Sequence, residues 1–234
     1  MLAFGFLTRL PMPRVTPRPN DFAVSIRCYP LVGLAIGALV ASSGWAGSLI
    51  DPWIGAGAAL FIWIAVTGAL HLDGLADLAD GLGAAHGDRT RLLAVMGDPH
   101  IGSFGVIALV GQMLAKLVLL HSAGAFGWAL VLVPFVARMG PLLWVRLLPP
   151  LRPGGLGAAI AGAIRTRDLV GWGLLLLLAG VVQPALLGGP LLIVGVAAWL
   201  RRKLGGITGD AHGAGIELVE TGLLLALCIA GAVR

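Results

Sequence analysis

Two short runs hold six of the eleven acidic residues of a 234-residue chain: His71-Leu-Asp73-Gly74-Leu-Ala-Asp77-Leu-Ala-Asp80-Gly81, and Gly205-Gly-Ile-Thr208-Gly209-Asp210-Ala-His212-Gly213-Ala-Gly-Ile-Glu217-Leu-Val-Glu220. Asp73, Asp77 and Asp80 stand at i, i+4 and i+7, which on a helix of 3.6 residues per turn confines them to an arc of about 60°. At roughly 5 Å separation and an effective dielectric near 20, each like-charged pair costs on the order of 3 kcal/mol, so the cluster calls for a cation or a bound proton. All-oxygen donors favour a hard ion, Mg²⁺ or Mn²⁺, over zinc. In the second run Glu217 and Glu220 share a face at i, i+3, and Asp210 precedes two glycines on what reads as an entry loop. The expected metal set is therefore Asp73, Asp77, Asp80, Asp210, Glu217 and Glu220. Two groups of acids at one face suit a pair of metals gripping a pyrophosphate.

The elements that position these acids are membrane helices. Hydrophobic residues make up 58% of the chain and charged residues 12%, against roughly 25% charged in a soluble domain, so an all-α polytopic membrane protein is expected. Apolar runs near the roughly 20 residues of a span cover Tyr29 to Ile50, Pro52 to Leu70, Phe104 to Leu120, Gly127 to Leu148, Leu169 to Leu187, Pro190 to Leu200 and Ala214 to Val233. The sixth is short, so about six to seven transmembrane helices are expected, in a single domain over residues 1–234. Met1 to Thr8 reads as a retained interfacial segment, because Arg9, Pro11 and Pro13 follow with no cleavage site.

Loop charges set the orientation. With a cytoplasmic N-terminus, the inside segments hold Arg9, Arg14, Arg18 and Arg27, then Arg89 and Arg91, then Arg152, Arg165 and Arg167, then Arg201, Arg202 and Lys203. The connections near Asp51, Ser122 and Gly188 hold no Lys or Arg, and both acidic runs then fall at the cytoplasmic face. The net charge of +5 is largely this bias and argues against nucleic acid as a partner, while the basic rim would attract anionic lipid and phosphorylated substrates. Cys28 and Cys228 suggest neither disulfide framework nor zinc spacing. A homo-oligomer is compatible with the composition.

His71, His86, His100 and His212 lie in or near the acidic segments, where a histidine serves as ligand, base or orienting partner. The Asp98-Pro-His100-Ile-Gly102 loop runs into the third span and offers Asp98 or His100 to a substrate, or is only a Pro-Gly boundary. Lys116 and Arg138 fall inside spans, where they pair with acids or snorkel. The rival class is an ion-coupled secondary transporter with acids lining a pathway; transporters place such acids near the midplane, often with inverted repeats, and no repeat is visible.

Phe6-Leu-Thr-Arg9-Leu-Pro11-Met-Pro13, Tyr29-Pro30-Leu-Val-Gly33, the His71 to Gly81 run, Asp98-Pro-His-Ile-Gly102 with Gly105, and the Gly205 to Asp210 run with Gly213 and Glu217 resemble, in the same order, the cobalamin synthase (adenosylcobinamide-GDP ribazoletransferase) family. The resemblance implies a transferase of cobalamin biosynthesis in the bacterial inner membrane. It would join adenosylcobinamide-GDP to α-ribazole or its 5′-phosphate with Mg²⁺ as cofactor and release of GMP. It implies catalytic roles for Asp73, Asp77, Asp80 and His71, and substrate contacts from Arg9, Arg89, Asp98, His100, Thr208 and Gly209. The chain departs from the family pattern at Gly97 and His100, where a basic residue and an arginine are usual. A second, looser likeness is to the CDP-alcohol phosphotransferases: Asp77-Leu-Ala-Asp80-Gly81-Leu-Gly-Ala84 fits their opening motif, but Ala85 stands where they carry arginine, and their downstream paired-Asp helix is missing. That is a similarity of chemistry.

Overall fold

Caps and turn residues mark where the helices begin and end. In the computed structural model, which describes residues 1–13, 16, 18, 20–124, 127–152, 160 and 162–232, the described regular structure is helical. The helices are α1 (Leu2–Leu7), α2 (Asp21–Ser25), α3 (Tyr29–Ser48), α4 (Pro52–Thr67), α5 (Leu70–Ala84), α6 (Arg89–Val95), α7 (Ser103–Ala123), α8 (Trp128–Ala137), α9 (Gly140–Leu147), α10 (Thr166–Val182), α11 (Gly189–Lys203) and α12 (Gly209–Ala232). Short 3₁₀ turns at Ile26–Cys28 and Pro184–Gly188 lead into α3 and α11. The only pairing of extended backbone among the described residues is an isolated bridge between Pro150 and Ile207.

Among the described residues five helices, counted with their short joins, are long and apolar enough to cross a membrane: Asp21–Ser48, Ser103–Ala123, Trp128–Leu147, Pro184–Lys203 and Gly209–Gly231. The bent pair α4 and α5 makes a sixth if taken as one span. The chain is thus a polytopic membrane protein. The run from Pro190, short in the sequence, is part of a 20-residue helical stretch, and the run from Leu169 forms the 17-residue α10, about 25 Å long and at the lower limit of the roughly 17–25 residues of a span. The 3₁₀ turn at Pro184, too local for a hydropathy window to register, shifts the boundary. Leu174, Leu177, Leu178 and Val181 of α10 are exposed, as suits a surface against lipid tails.

Close backbone approach holds the bundle together. A Cβ at Gly33 would reach the backbone of Pro134 and Phe135, and one at Gly47 would lie 2.9 Å from Gly55 Cα, so α3 nests against α8 and α4 through glycine. Asp51 caps α4 by accepting hydrogen bonds from Trp53 N and Ile54 N, with Pro52 in the first turn. At its other end Gly68 (φ 60°) and Ala69 (φ 58°) are both left-handed. For alanine this conformation costs roughly 1–2 kcal/mol. These two residues turn the chain through 86° between α4 and α5, which carries the first acidic run across the end of the bundle.

Candidate active site

The site begins where α5 crosses α12. A Cβ at Gly74 would lie 2.5 Å from the Asp210 carbonyl oxygen, and one at Gly213 would lie 3.2 Å from His71 Cα. Gly74 leaves no room for a side chain and Gly213 little, so the backbones come close, and the consequence is that Asp73 and Asp77 on one helix face Asp210 on the other. The charges of Asp73, Asp210 and Asp80 all act on Asp77, with Arg152 opposing them. Asp73 is exposed and Asp77 and Asp210 are half-buried, so these three keep access to a ligand. Asp210 lies in the first turn of α12, rather than on the entry loop.

Arg152 donates from Nη1 to Asp210 Oδ2 at 3.2 Å and from Nη2 to the Leu93 carbonyl at 3.1 Å. It is held there because Leu151 N donates to Ile207 O at 3.0 Å and Ile207 N to Pro149 O at 2.9 Å. In sequence Arg152 registers only as a loop charge. The available signal is an arginine in a proline-bounded loop, too generic to assign it a partner.

Asp80 shares the helix and the face but has different work. Its carboxylate accepts from Gly102 N at 2.7 Å and Gly105 N at 2.8 Å, capping α7 from a neighbouring helix. A Cβ at either glycine would collide with that carboxylate. Asp80 is buried.

Glu217 and Glu220 lie deeper in the bundle. Lys116 Nζ is 2.8 Å from Glu217 Oε2 and 2.6 Å from Glu220 Oε2, and Arg138 Nη1 is 2.8 Å from Glu220 Oε1. Gln112 donates to Glu217 Oε2 at 2.8 Å, and Lys116 Nζ sits 4.3 Å from the centre of the Trp63 ring. All four charged side chains are buried. Two acids against two bases make a neutral buried cluster, which resolves the alternative for Lys116 and Arg138 as pairing. The structure therefore groups Asp73, Asp77 and Asp210 at the crossing and places Glu217 and Glu220 in a separate network.

The expected substrate contacts are spread along the same end. Thr208 Oγ1 accepts from Ala211 N at 3.1 Å and caps α12, while Gly209 lines a cavity at the crossing. Arg89 packs against Gly205, where a Cβ would come within 2.6 Å of its guanidinium, and Gly205 is left-handed at φ 82°. Arg9 covers the elbow at Gly68 and is exposed, as are Arg91, Arg201, Arg202 and Lys203. Asp98 accepts from His100 N at 2.9 Å and faces His100 Nδ1 at 2.7 Å, both residues being exposed. Those hydrogen bonds hold the Asp98 carboxyl below the usual aspartate range.

A cavity of about 230 Å³ is lined by Asp73, Gly74 and Asp210 and otherwise mainly by apolar side chains. His71, His212 and Tyr29, the chain's single tyrosine, line it. Among the described residues each carries a buried polar atom without a hydrogen-bond partner: His71 Nε2, both ring nitrogens of His212, and Tyr29 Oη. Arg138 Nη2 stands 3.4 Å from His71 Nδ1. Because a guanidinium only donates, Nδ1 is the acceptor and the proton sits on Nε2.

Among the described residues no group of three or more His, Cys, Asp or Glu side chains is drawn tightly enough to hold an ion unaided. An oxygen-only set of this looser kind fits Mg²⁺, which keeps several waters and takes one or two carboxylates together with substrate phosphates.

Comparison with known proteins covers nearly the whole length of the chain. The family described as cobalamin-5-phosphate synthase matches residues 1–228. An adenosylcobinamide-GDP ribazoletransferase of Novosphingobium aromaticivorans is 58% identical over 99% of this chain and 96% of its own. Proteins of the same description from Thiobacillus denitrificans and Laribacter hongkongensis are 48% and 51% identical, over 96% and 98% of this chain and 92% and 96% of theirs. No solved structure matches. With a family match spanning nearly every residue and the acids of both motifs meeting at one helix crossing, this chain belongs to the cobalamin-5-phosphate synthase family.

Proposed function

We propose that this chain carries out the ribazoletransferase reaction at the α5–α12 crossing, with Asp73, Asp77 and Asp210 as its working acids. The chain is a membrane enzyme of the final cobalamin assembly step, joining ribazole to adenosylcobinamide-GDP. The observation that carries the site assignment is the meeting of acids from two distant motifs through Gly74 and Gly213.

The ribose 3′-hydroxyl of α-ribazole, or of its 5′-phosphate, attacks the phosphorus bearing the cobinamide arm. The new bond joins that oxygen to phosphorus. The bond from the same phosphorus to the bridging oxygen of the pyrophosphate breaks, and GMP leaves with that oxygen and its electron pair. Asp73 or Asp77 takes the hydroxyl proton. His71 is a donor at Nε2 by virtue of Arg138 at Nδ1, so it orients rather than abstracts. Arg152 holds Asp210 in place, and Arg89 with Arg201 to Lys203 attracts the anionic nucleotide. Asp73, Asp77 and Asp210 would hold Mg²⁺. When bound, the ion supplies neutralisation of charge on the phosphoryl group and on the departing GMP.

The Lys and Arg bias of the loops supports a cytoplasmic position for this end of the bundle, in a bacterial inner membrane. Inverted membrane vesicles containing the chain, given adenosylcobinamide-GDP, α-ribazole and Mg²⁺ from outside, should release GMP and form a cobalamin, and excess EDTA should abolish both. Activity confined to right-side-out vesicles would overturn the orientation. Full turnover in EDTA would overturn the metal, and no turnover in either vesicle or in detergent would overturn the reaction.

A further inference from the structure

We infer that the cavity at the crossing is the subsite for the benzimidazole base of ribazole, with Tyr29 and His71 as the residues that recognise it. The inference rests on the ribazoletransferase reading and assigns one of its two substrates to one place. Size comes first. Drug-sized and cofactor-sized ligands occupy roughly 300–1,000 Å³, so a cavity of about 230 Å³ takes a flat bicycle and excludes a corrin macrocycle.

Chemistry narrows the choice further. The wall is apolar at Phe6, Leu70, Pro141, Ile160 and Ile216, which suits a fused aromatic ring. Burying a polar group without a partner is unfavourable, and three residues of this wall carry such groups. A benzimidazole linked to ribose keeps one free ring nitrogen, an acceptor, and both the Tyr29 hydroxyl and His71 Nε2–H are donors. A guanine, with donors and acceptors around much of its rim, would leave several of them facing apolar side chains. Position also fits: the exposed Asp73 and half-buried Asp210 line the same cavity as the buried apolar side chains, so a base seated among those side chains has its ribose hydroxyls beside the acids proposed to act on them.

The test uses the full-length chain in detergent, with equilibrium dialysis against α-ribazole and separately against GMP, and initial rates with each substrate varied. Tyr29→Phe removes the hydroxyl and keeps the ring; Leu70→Trp fills the cavity. The expected result is α-ribazole affinity about tenfold weaker in Tyr29→Phe, as the loss of one hydrogen bond implies, and abolished in Leu70→Trp. GMP binding and the KM for adenosylcobinamide-GDP should not move, and the melting point of Tyr29→Phe should not fall. Unchanged α-ribazole binding in both variants, or loss of GMP binding instead, would overturn the assignment while leaving the transfer activity standing if wild type turns over. Wild type that binds α-ribazole through this cavity yet produces no GMP would leave the subsite standing and remove the activity.

Discussion

Glu220 and Asp77 are both carboxylates on largely apolar helices, and their neighbours make opposite demands on them. Glu220 is fully buried between Lys116 and Arg138, so its charge is required by the two cations around it. Glu220→Gln leaves two buried cations facing Glu217 alone and should destabilise the chain by about 3–5 kcal/mol, seen as a lower thermal midpoint in detergent. Asp77 is surrounded by Asp73, Asp80 and Asp210, so Asp77→Asn relieves repulsion and should leave the midpoint unchanged or raised. A midpoint for Glu220→Gln equal to wild type would contradict the neutral-cluster account. The sequence made the face shared by Glu217 and Glu220 legible, but not what that face meets. Glu217 is seven residues beyond Asp210, about 10 Å along the helix, and the partners that claim it, Gln112 and Lys116, come from α7 with no local signal.

At the scale of elements, the α5–α12 crossing decides whether there is a site. Gly74→Ala places a methyl 2.5 Å from the Asp210 carbonyl oxygen, which only a shift of the two backbones can relieve. Overpacking of this kind typically costs about 1–3 kcal/mol, and the same shift separates Asp73 and Asp77 from Asp210. Gly74→Ala should therefore lose both melting temperature and GMP release, whereas Gly57→Ala, at a position with open space, should keep both. Normal release from Gly74→Ala would mean that the close crossing is not needed. The helical spacing of Asp73, Asp77 and Asp80 was readable, and α5 contains all three. Asp80's commitment to Gly102 and Gly105 was not, because a cap supplied by another helix leaves no periodic trace. Nor was the elbow at Gly68 and Ala69, since alanine carries no mark of a left-handed backbone.

The molecule as a whole is a lipid-facing bundle with its usable polar chemistry gathered at one end. Large apolar side chains such as Phe61, Val181 and Leu191 face outward, while the acids, Arg152 and the cavity meet where α5 lies across the ends of its neighbours. Composition and loop charge made the membrane class legible, and motif order made the family legible. The cavity depends on side chains from α1, α3, α5, α9 and α12, which no linear pattern brings together. The central claim is that the acids at the crossing perform the transfer. The most direct test is GMP release from adenosylcobinamide-GDP and α-ribazole by purified Asp77→Asn and Asp210→Asn across a Mg²⁺ titration, with Asp21→Asn alongside. Loss of a charge contact in the transition state usually costs on the order of a hundredfold or more, so both site variants should fall by that much while Asp21→Asn, whose carboxylate accepts from Arg18 N at the surface, keeps its rate. Rates near wild type for both Asp77→Asn and Asp210→Asn would contradict the account.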